Sequence, residues 1–84
     1  MITTSKLKDY IDSGHDKHKI ARWLINVNIA KHVPLNLNDL SDTSLVADEV
    51  DAIVDCIDEG SYQDAINIAE ESAVQILEDE GFEV

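Results

Sequence analysis

The chain has 84 residues, 44% of them apolar, which is enough for one small core and excludes a second folded unit. Eighteen acids against six bases give a formal net charge of −12, which opposes free nucleic acid as a direct partner. No apolar run approaches the roughly 18 residues of a membrane span, Met1 to Lys6 lacks a signal-peptide stretch, and Cys56 is the only cysteine, so an internal disulfide framework is excluded. The expectation is one domain over residues 1–84, away from membranes and in the cytoplasm.

Thr4 or Ser5 suits the cap of a short first helix with Leu7, Tyr10 and Ile11 on its apolar side, and Gly14 fits the left-handed position past its end. A second helix is expected from Asp16, a good cap, to Val33, because Pro34 pushes the preceding residue out of the α region. It carries two apolar stripes, Ile20, Trp23, Leu24 and Val27 on one side and Ala21, Ile25, Ile29 and Val33 nearly opposite. A helix apolar on two sides is either central in a bundle or shared with a second copy of the chain, a homodimer through residues 16–33. The alternation Ile25-Asn26-Val27-Asn28-Ile29 also has the period of a strand, which leaves a rival assignment open there.

Pro34 to Asp39 reads as an extended connection anchored by its leucines. Ser41 then suits a helix cap, with Leu40 and Leu45 placed to clamp across it as a hydrophobic staple. The third helix has a core face of Val46, Val50, Ile53, Val54 and Ile57, spaced by three or four. Gly60 ends it, and Ser61 caps a fourth helix with Asp64 in its first turn; so short a joint implies adjacent antiparallel helices. Tyr62, Ala65, Ile66, Ala69, Ala73, Ile76 and Leu77 form the inner side of that fourth helix, and Glu78 to Val84 reads as a fraying acidic tail. The fold class is therefore all-α, a bundle of about four helices with the first one short.

The charge is unevenly placed. All six bases lie at or before Lys31, opposed only by Asp9, Asp12 and Asp16, so that segment is +3, while the rest has fifteen acids and no Lys or Arg and is −15. One account is that the two parts pack together and partly neutralise each other; the other is a surface built for a basic partner. At 100° per residue Asp48, Asp51, Asp55, Asp58 and Glu59 share an arc of about 100° on the side away from the core, over roughly 16 Å of axis. Like charges three and four apart cost ~0.2–0.5 kcal/mol each in an isolated helix, and no base is interleaved to offset them. Asp64, Glu71 and Glu78, seven apart on the outer side of the fourth helix, add to this surface. Such a rod of carboxylates can stand in for a phosphate backbone in the basic groove of a nucleic-acid-binding protein.

Near the start, Leu7 and Tyr10, then Gly14, then Ile20 and Trp23 on a basic helix resemble the spacing of the helix-turn-helix family over Lys6 to Ile25. The resemblance implies a glycine in the turn and Lys17, His18, Lys19 and Arg22 facing a DNA groove; Tyr10 stands where that family has a small residue. His15, His18, His32 and Cys56 are a conceivable zinc set, but two histidines three apart are common by chance, and surface histidines and a small apolar Cys56 are expected instead. Trp23 is expected in the core. Neither a catalytic constellation, a metal site nor a cofactor motif is expected.

The leading expectation is a non-enzymatic acidic inhibitor or regulator whose ridge meets a basic, nucleic-acid-binding protein. In physical type it is similar to the small acidic helical proteins that phages and mobile elements make against host defence nucleases. The alternatives are a helix-turn-helix-like DNA-binding regulator and a structural or assembly subunit.

Overall fold

The computed structural model describes residues 3–34 and 44–83, with the side chains of Ser44 and Leu45 left out. These residues form four helices, α1 (Thr4–Asp12), α2 (Lys17–His32), α3 (Ser44–Asp58) and α4 (Tyr62–Asp79), and no strand. The expected extended connection over 35–39, the Ser41 cap and the Leu40–Leu45 staple lie outside the described residues.

The start of α1 differs by one residue from expectation. Thr3, not Thr4 or Ser5, is the cap, because its extended backbone lets its hydroxyl accept from the Lys6 amide at 3.2 Å. Gly14 follows with φ +85, the left-handed conformation that frees the chain to turn into α2. Asp16 caps α2, its Oδ1 accepting from the amides of His18 at 2.9 Å and Lys19 at 3.1 Å. The helix ends at Val33, which is extended before Pro34.

Residues 25–29 are helical, so the strand-like alternation was decoration on a helix. Asn28 explains how a polar residue fits there. It is buried, its amide donates to the Leu24 carbonyl one turn back at 2.8 Å, and its oxygen accepts from Lys31 Nζ at 3.1 Å. Ile20, Ala21, Leu24, Ile25 and Ile29 are buried as well, while Trp23, Val27 and Val33 are half-buried against the core. α2 packs on α1, α3 and α4, so it is the central element that its two apolar stripes allow, with Trp23, Val27 and Val33 still partly open.

All five expected core positions of α3 are buried: Val46, Val50, Ile53, Val54 and Ile57. Opposite them lie Ala65, Ile66, Ala69, Ala73, Ile76 and Leu77 of α4, with Tyr62 only half-buried. The α3–α4 joint closes with the Ser61 amide on the Cys56 carbonyl at 2.9 Å and the Gly60 amide on Ile57 at 3.1 Å, Gly60 having φ +79. Ser61 occupies the cap position of α4, yet its side chain makes no capping bond, because its backbone (φ −85, ψ 64) is not extended as a capping residue's usually is. Further along, Ser72 of α4 reaches Glu49 of α3, eleven residues on either side of the Gly60–Ser61 joint, as an antiparallel pair requires.

The end of α4 is also tighter than expected. Instead of fraying after Glu78, the helix runs to Asp79 and is closed by Phe82 N–H on the Leu77 carbonyl at 2.9 Å and Gly81 N–H on Glu78 at 3.0 Å. Phe82 packs back onto the core, supplying the apolar contact that accompanies this cap. Its single ring anchors a segment whose acidic composition suggested none.

Candidate functional site

Packing decides which side of α3 meets water. With its valines and isoleucines turned inward, Asp48, Asp51, Asp55 and Asp58 are exposed, and Glu59 keeps helical register through its amide bond to the Asp55 carbonyl at 3.0 Å. The ridge expected from the spacing is thus exposed along α3 and one residue past its end.

One side of that ridge meets the basic start of α2. Lys17 Nζ pairs with Asp58 Oδ1, and His18 Nε2 lies 3.7 Å from Asp51 Oδ1, with His18 Nδ1 3.9 Å from its own cap residue Asp16. Both side chains of the Lys17–Asp58 pair are nearly half exposed (46% and 49%), so solvent screening holds its worth to about 0.2–1 kcal/mol. Among the described residues the two oppositely charged parts of the chain meet along this border, where Lys17 offsets Asp58. Asp48, Asp55 and Glu59 have no cationic partner among the described residues.

The other side leads to α4. Burial pushes the Cys56 thiol above its ordinary value of 9.0, and the charges of Asp64, Glu59 and Asp55 push it further in the same direction. Asp64, across the joint, therefore lies near enough to Cys56 to act on it together with Glu59 and Asp55. Glu71 stands apart from the ridge, on a groove of about 330 Å³ between α3 and α4 that Glu49, Ala52, Ile68, Ser72 and Gln75 also line. Glu78 is exposed, and no contact ties it to the ridge. Glu49 was not anticipated. Its half-buried carboxylate accepts from the hydroxyl of the buried Ser72 at 2.6 Å, a pairing across 23 residues that no local spacing signals.

The histidines do not converge: His18 faces Asp51, while His15 lies against Tyr10 with ring centroids 5.6 Å apart. Among the described residues no group of three or more His, Cys, Asp or Glu is placed to hold a metal ion. Tyr10 also meets Trp23, centroids 4.7 Å apart and rings tilted by 59°, so a bulky aromatic pair joins α1 to α2 where a helix-turn-helix has a small residue. Trp23 is half-buried rather than enclosed.

Fold and surface together define a small all-α domain with a one-sided carboxylate ridge, and no described helix is long and apolar enough to cross a membrane. No protein-family model, no curated protein and no solved structure matches the chain.

Proposed function

We propose that the chain is a non-catalytic interaction protein whose α3 ridge, extended by Asp64, occupies the basic groove of a nucleic-acid-binding protein and so inhibits or regulates it. The supporting observation is that Asp48, Asp55 and Glu59 have no cationic partner among the described residues, which include all six bases of the chain. Self-repulsion of this kind weakens a small fold, and a basic partner relieves it. Carboxylates on a rigid helix attract such a partner over about one Debye length, about 8 Å at physiological salt. An anti-defence protein carried by a phage or mobile element fits this behaviour.

Glu71 and Glu78, exposed farther along α4 and apart from the ridge, add supporting negative charge on that helix. The rival helix-turn-helix reading asks Lys17, His18, Lys19 and Arg22 to face DNA, yet the first two of these are turned to the aspartates of α3.

The test is affinity capture from the native host with three forms of the protein. Wild type and Lys19→Glu plus Arg22→Glu should retain the same basic protein, and Asp51→Lys plus Asp55→Lys should lose it. Loss by the basic-side variant alone, or a duplex gel shift by the free protein at about 0.15 M salt, would overturn the proposal.

A further inference from the structure

Away from the ridge, on the basic half of the chain, α1, α2 and the turn between them border an open hollow of about 220 Å³ lined by Tyr10, His15, Lys19, Ile20 and Trp23. Two of the four aromatic residues of the protein are gathered there, both half-buried, with the buried Ile20 beside them. No acid lines it. Lys17, two positions before Lys19, is paired with Asp58, whereas Lys19 is exposed and has no carboxylate partner among the described residues of a chain with 18 acids. The outcome is an apolar, aromatic-walled recess with a free ammonium at its rim.

Size and charge limit what such a recess takes. A cavity of about 150 Å³ admits benzene, and pockets for whole drug-sized ligands begin near 300 Å³. A hollow between these values suits one bicyclic ring with the remainder of the molecule outside. Aromatic walls favour a planar π-system, and the Lys19 ammonium favours an anion at the mouth. We infer that this hollow binds a purine nucleoside monophosphate, the purine against Trp23 and Tyr10 and the phosphate on Lys19. This site is separate from the ridge, so either can fail without the other.

Trp23 is the only tryptophan, and its emission therefore reports occupancy directly in the intact protein. Titration with AMP should quench it saturably. Adenosine, which keeps the ring and lacks the charge, should bind at least about fivefold more weakly, and inorganic phosphate should leave the emission unchanged. Lys19→Gln should lower AMP affinity to that of adenosine, while Lys8→Gln, the same charge change on α1 outside the hollow, should leave it as in wild type. Equal affinity for AMP and adenosine, equal losses in the two lysine variants, or no saturable response to AMP would each overturn the inference.

Discussion

Asp55 stands mid-ridge on α3, with Asp51 four residues before it, Asp58 three after and Glu59 four after, and no cation beside it among the described residues. Removing its charge deletes three like-charged helical neighbours, each costing ~0.2–0.5 kcal/mol. Lys17 already offsets Asp58, which leaves two uncompensated pairs and a gain of about 0.4–1 kcal/mol for Asp55→Gln, plus a few tenths from the better helix propensity of glutamine. In a domain of this size that raises the melting temperature by about 2–8 °C. Circular dichroism melts at low salt and at about 1 M, where the Debye length is about 3 Å, separate the two contributions: the repulsive part fades with salt and the propensity part remains. The same variant should hold a basic partner less tightly, so stability and binding move in opposite directions. An unchanged or lowered melting temperature at low salt, or an equal gain at both salts, would refute the idea that the ridge is under electrostatic strain.

Three other outcomes follow from the packing. Ile53→Ala, at a fully enclosed α3 position, should cost about 2–5 kcal/mol in chemical unfolding. Gly60→Ala meets open space around the added carbon, but φ is +79, so the backbone alone should cost about 1–2 kcal/mol; a neutral result would mean that the joint does not hold this conformation. Cys56 should alkylate more slowly than a free thiol near neutral pH, and Asp64→Asn should speed it, because both burial and that carboxylate hold its thiol above 9.0. The sign for stability is a loss at high pH: the unfolded chain releases the thiol proton before the folded one does, so stability falls as pH climbs past 9.0.

The helices were legible because their signals are local. Residues three or four apart put Val46, Val50, Ile53, Val54 and Ile57 on one side, and Asp16, Gly14 and Pro34 act on their nearest neighbours. The exposed carboxylates of α3 followed from the same periodicity. What escaped depends on side chains that meet across the fold. Lys17 reaches Asp58 across 41 residues, and this pairing divides the ridge into a neutralised border and a free crest. Asn28 and Ser72 have polar names and buried positions, each made tolerable by a hydrogen bond that only helical geometry or the antiparallel partner supplies. Phe82 read as part of an acidic tail because an apolar residue beyond a glycine has no periodic context, although its backbone bond to Leu77 closes α4.

The first helix has a different standing from the other three. At nine residues α1 is below the length at which an isolated helix holds together in water, and Leu7 is its one buried side chain. Its hold on the body rests on that leucine, on the half-buried Ile11 and on Tyr10 against Trp23, so it should detach in excursions much cheaper than global unfolding. In native-state hydrogen exchange the amides of Leu7 to Asp12 should then be among the earliest helical amides to lose protection, with α2, α3 and α4 still closed. Each such opening parts the walls of the aromatic hollow, and a purine lodged there should slow exchange in α1 selectively.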